Sequence, residues 1–296
     1  MINSLLIFGF IYILIWLLFF SGLPNAEEIK SYRPPKTVKP SHVNWDGNIR
    51  QPVYIWAPLH QISILLRKAV VVSEDDRFYY HNGVNFEMMK EAFSVNWTKK
   101  RYVRGASTIT MQLARNAFLH KKKTLRRKIR EIILARRIEK VLSKQQILEL
   151  YLNIAEWGKN IYGAEAAARF YFEKPAAKLN LAESTLLAGM LPNPKYFNPF
   201  ERMRSCKRMQ KRVLWLLQIS RHITEEQVER AYQKDIRLRG EPYLREDFNI
   251  AVTDSSEESK YLMPVLPSMK AAPRIPRSLK KERFVQPTDS SREIEK

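Results

Sequence analysis

The chain has 296 residues, 45% of them apolar, which excludes a wholly disordered protein and leaves room for one sizeable domain with extensions. Its formal charge of +21 favours partners that carry phosphate or other anions. Cys206 is the single cysteine, so an intrachain disulfide and a cysteine-built zinc site are both excluded.

Residues 5–20 (LLIFGFIYILIWLLFF) carry no charge. With their neighbours from Ile2 to Leu23 they reach the roughly 20 residues that cross a bilayer as a helix. No Lys or Arg precedes the run, as one would in a cleaved signal peptide. Residues 1–23 therefore read as a retained single-pass anchor. Lys30, Arg33, Lys36 and Lys39 follow, and positive-inside counting would hold them in the cytoplasm; long domains translocate largely regardless, so sidedness stays open. Residues 24–58, rich in Pro and polar side chains, read as a stalk. Residues 59–240 read as a mainly helical domain. Residues 241–296 are rich in Ser, Lys, Glu and Pro and read as a disordered polar tail.

The most informative stretch is 74–83 (EDDRFYYHNG), where acids directly follow the apolar run Ala69 to Val72. A carboxyl at the lip of a buried segment is partly desolvated, which raises its pKa and suits it to carrying protons near neutral pH. Glu74 is thus the first catalytic candidate. Further along, Leu125, Ile129, Ile132, Ile133, Ile138, Val141 and Leu142 recur at helical spacing, with Thr124 as a candidate N-cap. A second helix follows Ser143, a small-residue apolar helix runs from Leu181 to Leu191, and a helical pair covers 208–232. No repeat and no pattern of strands stands out.

Between Lys99 and Lys144 there are sixteen basic residues, opposed only by Glu131 and Glu139. Such a band draws phosphates from nucleic acid, lipid headgroups or a diphosphate ligand, although the commonest fate of a charge run is a solvated helix face. Glu131 lies off the apolar stripe, four residues after Arg127 and three after Lys128. Spacing leaves two readings open, an ordinary surface pairing or a carboxylate held ionised among cations.

Five ordered blocks resemble the glycosyltransferase family 51 domain, the peptidoglycan transglycosylases, and most closely the monofunctional biosynthetic kind. They are Glu74-Asp75-x-x-Phe78-x-x-His81-x-Gly83; Gly105-Ala-Ser107-Thr108-Ile-Thr110-Met-Gln112-Leu-Ala-Arg115-Asn116; Lys123-Thr-Leu-x-Arg127-Lys128-x-x-Glu131; Ile147-Leu-Glu149-x-Tyr151-Leu152-Asn153 with Ala155-Glu-Trp-Gly158 and Tyr162-Gly163-Ala-Glu165; and Leu181-Ala-Glu183 through Leu191-Pro-Asn193-Pro. Together they cover about two-thirds of the chain, a pattern too specific for chance.

The resemblance implies a lysozyme-like helical lobe beside a small membrane-associated jaw lobe. It also implies polymerisation of lipid II into β-1,4 glycan strands on the outer face of the cytoplasmic membrane, by inverting transfer that releases lipid diphosphate. Glu74 matches the family's general base and Glu131 its second glutamate, near the donor diphosphate. Departure of a diphosphate develops negative charge that Arg115, Lys123, Arg127 and Lys128 are suited to stabilise. Ser107, Thr108 and Gln112 are expected to line the cleft and hydrogen-bond sugar or phosphate. Phe78, His81 and Gly83 are expected to shape the turn that presents Glu74. No metal cluster is visible and no cofactor is required, though Mg2+ could bridge the diphosphate. Partners expected are lipid II, the growing strand, membrane lipid and other wall-synthesis proteins, with no nucleic acid.

The chain departs from the family's pattern at Met111, where a Gln is usual, at Arg115, where Lys is usual, and at Lys123, often Arg. The basic swaps keep charge while altering hydrogen-bond geometry, and Met111 removes an amide from a possible substrate contact. Three rivals compete with the transferase. A lytic hydrolase would use a glutamate as general acid, but cleavage of neutral glycan needs no diphosphate site. A nucleic-acid binder would want aromatics within the basic band, which has few. An inactive wall-synthesis scaffold would keep the fold without the chemistry. Ser278-Leu-Lys-Lys281 fits Ser-x-x-Lys but has no companion motif for a penicillin-binding domain.

Overall fold

The computed structural model describes residues 10, 13, 14, 18–34, 38, 43, 45, 49, 51–100, 105–120, 122 and 124–240. The described part is mainly helical: α1 (Ala26–Ser31), α2 (Ile64–Glu74), α3 (Phe86–Thr98), α4 (Ile109–Phe118), α5 (Leu125–Val141), α6 (Lys144–Ile154), α7 (Ala164–Phe172), α8 (Leu181–Met190), α9 (Pro199–Ile219) and α10 (Glu225–Gln233). The expected tail, residues 241–296, lies outside the described residues. So does most of the expected anchor, and among the described residues no helix is long and apolar enough to cross a membrane.

Local chemistry sets the helix starts. Ser63, Asn85, Thr108, Thr124, Ser143, Asn180 and Thr224 all accept a backbone N–H of the first turn, satisfying donors that the helix itself cannot. At the centre lies α8, whose residues from Ala182 to Met190 are all buried; it packs against α2 and α9. Gly189 permits the α8–α9 approach, since a Cβ there would stand 2.9 Å from the Met209 backbone carbon. The valines of α2 are modest helix formers, yet burial of Leu66, Ala69, Val70, Val71 and Val72 overrides that preference. Helix α4 packs on α5 and α6, and α1 on α5.

Two described stretches of residues 24–58, read above as a stalk, pack into the domain. Helix α1 carries a full capping box between Asn25 and Glu28, and its Ile29 is buried. Strand β1 (Val53–Tyr54) pairs in parallel with β3 (Ile161–Tyr162), which pairs antiparallel with β2 (Glu156–Gly158) across a bulge. Beyond β1, the Ala57 N–H donates to Asn153 Oδ1 at 2.8 Å, and Asn153 Nδ2 returns a bond to Ala57 O. Residues 53–57 are therefore bound into the domain by a small sheet and by α6.

Gly83 closes the turn after α2 in a left-handed conformation, with φ +84. A Cβ there would meet the Ala135 carbonyl oxygen at 2.7 Å, so the turn packs backbone against backbone on α5. Gly83→Ala is expected to lower unfolding free energy by about 2–4 kcal/mol, combining left-handed strain with overpacking. Urea denaturation of the two proteins checks this, and an unchanged midpoint would contradict the packing described.

Candidate active site

The end of α2 delivers Glu74 among side chains of α4, α6 and α9. Glu74 Oε2 accepts a 2.8 Å hydrogen bond from Gln112 Nε2 on α4. Gln112 Oε1 in turn accepts from the hydroxyl of Tyr151 on α6, at 3.3 Å. The buried Tyr151 thereby fixes which way the amide faces, leaving its NH2 to the carboxylate. Desolvation is the largest influence on Glu74 and holds its pKa above the ordinary 4.5. The Gln112 bond, Arg212 and Arg115 oppose that rise, and Asp75 adds to it. Burial and the Glu74 charge together hold the Tyr151 phenol well above its usual range, so it stays a donor.

Asp75 is fully buried and ties the turn down. Its Oδ2 accepts the Ile109 backbone N–H at 2.9 Å, placing a carboxylate at the N-terminus of α4, and His81 Nε2 lies 3.0 Å from both carboxylate oxygens. Lys144 donates to His81 O at 2.6 Å and to Glu139 Oε1 at 2.7 Å, and stands 4.5 Å above the Phe78 ring. Thr110 donates to the same Glu139 oxygen. Phe78, His81 and Gly83 thus shape the turn. Asp75, Tyr151, Lys144 and Arg212 received no task in the sequence reading; Asp75 and Tyr151 stood in the family blocks without a role, Lys144 only closed the basic band, and nothing marked Arg212.

The second carboxylate sits on α5. Glu131 is 1% exposed, with Arg127 Nε 3.1 Å from Oε1 and Lys128 Nζ 3.3 Å from Oε2. This settles the choice left open by spacing, because a surface pairing would leave the acid in water. Lys128 also donates to the Ser107 hydroxyl at 2.8 Å. Burial is the main influence lowering the Lys128 pKa; Glu131 offsets it, while Arg115 and Arg127 add to it. Arg115 acts electrostatically on both Glu74 and Lys128, so its charge links the surroundings of the two carboxylates.

Not every expected contact falls on the cleft. Thr108 is fully buried; its hydroxyl donates to Gly83 O at 2.6 Å and accepts the Met111 N–H, which leaves it the role of clamping the turn to α4 rather than meeting a ligand. Met111 points the other way as well, into an apolar cluster with Val84 and Ala135. An amide there would be buried without need, so the departure at 111 removes no substrate contact. Lys123 lies outside the described residues. Among the described residues no cluster of three His, Cys, Asp or Glu side chains is arranged to hold a metal. Burial pushes the Cys206 thiol up to about 12, leaving it inert.

The transglycosylase family model matches residues 46–218 of the chain, a stretch that begins before β1 and ends within α9. The chain belongs to the transglycosylase family. A biosynthetic peptidoglycan transglycosylase of Bordetella avium is 45% identical over 174 residues, covering 57% of this chain and 71% of the relative. One from Paraburkholderia xenovorans is 47% identical over 145 residues, 49% of this chain and 60% of the relative. The chain thus spans between three-fifths and seven-tenths of the length of these two relatives. The crystal structure of penicillin-binding protein 1A from Haemophilus influenzae matches 32% of this chain and 14% of its own, at 34% identity and a TM-score of 0.31. Family membership makes the chain a glycosyltransferase, and glycosyl transfer is a setting where acid–base and leaving-group chemistry are both needed.

The Gln112 amide is the adjustable element of that setting. Its N–H stabilises the ionised form of Glu74. Gln112→Met keeps the length and removes the donor, so the Glu74 pKa is expected to rise further. If Glu74 works as a base, the acid limb of the kcat/KM profile should move to higher pH, with the alkaline limb unmoved. An acid limb at the wild-type position would show that the amide does not tune the base.

Proposed function

We propose that this chain polymerises lipid II into β-1,4 glycan strands, with Glu74 as the base and Glu131 as organiser of the diphosphate site. The observation that carries the reading is a pair of unlike carboxylates joined through one cation, because the Arg115 charge acts both on Glu74 and on Lys128 beside Glu131. Glu74 is held above its ordinary pKa by burial, suiting it to take the proton of an acceptor sugar hydroxyl. Glu131 is buried between Arg127 and Lys128, suiting it to hold cations where negative charge develops on the leaving diphosphate. Attack of the hydroxyl oxygen on the anomeric carbon forms the glycosidic bond as the bond to the diphosphate breaks, inverting that centre. The proton passes to Glu74 and the electron pair leaves with the diphosphate.

Ser107, Gln112, Arg115 and Lys123 complete the substrate contacts in this reading. A Mg2+ ion, if bound with the substrate, would offset charge on the departing diphosphate; among the described residues no carboxylate or histidine cluster would hold it on its own. The catalytic domain stands on the outer face of the cytoplasmic membrane, held by the apolar segment of residues 1–23. Helix α3 supplies the membrane-associated jaw, a role supported by exposed Phe86, Phe93 and Trp97 on its surface, the last two stacked at 5.8 Å. Other wall-synthesis proteins are its expected neighbours.

Incubating the full-length protein with labelled lipid II tests the proposal. Polymer of increasing length supports it. Cleavage of preformed glycan without polymer would assign the hydrolase instead, and silence in both assays would leave a scaffold.

A further inference from the structure

The basic band divides by the geometry of α5. Arg127, Lys128 and Glu131 form one ion cluster, whereas Arg126, Arg130 and Arg137, at i, i+4 and i+11, share a different stripe of the helix. That stripe meets the chain where the N-terminal apolar segment ends. Arg126 Nε donates to Leu18 O at 2.7 Å, and Arg137 Nη1 donates to Pro24 O at 3.4 Å, with its guanidinium 5.8 Å from the Phe20 ring centre. Arg130 Nη2 lies 4.0 Å from where a Cβ on Gly22 would sit.

We propose that Arg126, Arg130 and Arg137 form a site for the phosphate of an anionic phospholipid at the foot of the N-terminal segment. The proposal rests on the reading of residues 1–23 as a membrane anchor. Three observations point to a ligand of this kind. Among the described residues no carboxylate pairs with any of the three arginines, and each guanidinium has more N–H donors than the one or none it commits to a carbonyl. Burial, and after it repulsion from Arg126, lowers the Arg130 pKa; an anion between the two guanidiniums offsets the repulsion. The surroundings are apolar and exposed on the same segment, with Phe10, Ile13, Leu14 and Leu18 all uncovered. Cations bordering an uncovered apolar segment match the headgroup layer of a membrane, where each basic side chain near an anionic surface adds attraction that salt weakens. A soluble phosphate would gain nothing from the apolar border, which selects the lipid.

Native mass spectrometry of the full-length protein released from nanodiscs of mixed phosphatidylglycerol and phosphatidylcholine tests the site. Wild type is expected to retain phosphatidylglycerol over phosphatidylcholine by at least tenfold. Arg126→Gln/Arg130→Gln/Arg137→Gln should lose that preference. Lys68→Gln/Lys159→Gln/Lys178→Gln, which removes as much charge from exposed positions elsewhere, should keep it. Equal retention of the two lipids by wild type overturns the proposal, as does loss of preference in both variants. Displacement of the bound lipid by inorganic phosphate at matched concentration would reassign the site to soluble anions. Carbonate extraction of membranes separates the premise: release of wild type would refute the anchor, whereas a retained protein with no lipid preference refutes the site alone.

Discussion

Glu74→Gln is expected to lower the rate of lipid II polymerisation by about 10²–10⁴-fold, the usual contribution of a positioned general base. Glutamine keeps the shape and can still accept the Gln112 bond, so the loss isolates proton transfer. The same substitution should raise stability at neutral pH. Glu74 is an acid whose folded pKa lies above its unfolded value, so the folded state holds its proton more tightly. Its contribution favours folding at low pH and is lost as pH rises through the folded pKa. Above that window the wild type carries a desolvated carboxylate that the amide lacks. Thermal unfolding of both proteins at neutral and acid pH checks the sign: the variant should melt higher at neutral pH, with the gap closing as Glu74 protonates. A variant that loses activity and also melts lower at neutral pH would mean that the Arg115 and Arg212 charges outweigh desolvation.

The opposed movements of activity and stability carry information that activity alone does not. A residue that merely holds the fold loses both together. A base kept partly desolvated for its chemistry costs the folded state something, and removing the charge should recover it. Asp75 provides the contrast, because it is buried against Ile109 N and His81 and its loss would leave a helix N-terminus and an imidazole unsatisfied. Two neighbouring acids thus have opposite expected effects on stability, determined by what each carboxylate accepts.

Glu74 was legible because its signal is local: an acid directly after a buried apolar run marks a desolvated helix end. Glu131 was half legible, since helical spacing placed Arg127 and Lys128 beside it without telling burial from exposure. What decides that is the packing of α4 on α5, which no spacing within α5 encodes. The strand at Val53–Tyr54 escaped for a similar reason, because its partner at Ile161–Tyr162 is more than a hundred residues away and two-residue strands leave no alternation to read. Prolines and polar residues around it then read as a linker. Thr108 and Met111 show the converse case. A motif names the residues but not the side of α4 on which each falls, and the helix turns both away from the cleft. The basic band was read as one feature, yet the 3.6-residue period of α5 splits it between two faces.

Glu131→Ala is the second large effect expected, and it separates holding cations from holding the fold. Removing the acid leaves Arg127 and Lys128 without the partner that orients them. Breaking a fully buried ion pair costs about 3–5 kcal/mol, but these cations keep 17% and 35% of their side-chain surface exposed, so solvent reduces the loss to about 1–3 kcal/mol. The activity should fall further than this stability change explains. Cations aimed at a leaving diphosphate act on charge that develops in the transition state, and losing one such aligned donor costs about 10²–10³-fold in kcat. KM should change little, because the freed cations still attract the ground-state diphosphate. Glu131→Gln, which can still accept from one of the two, should fall between wild type and Glu131→Ala in kcat. Steady-state kinetics on lipid II, with urea denaturation alongside, distinguishes the outcomes. A stability loss with kcat unchanged would reduce Glu131 to a structural ion pair. A raised KM with kcat unchanged would move its role from the leaving group to substrate capture.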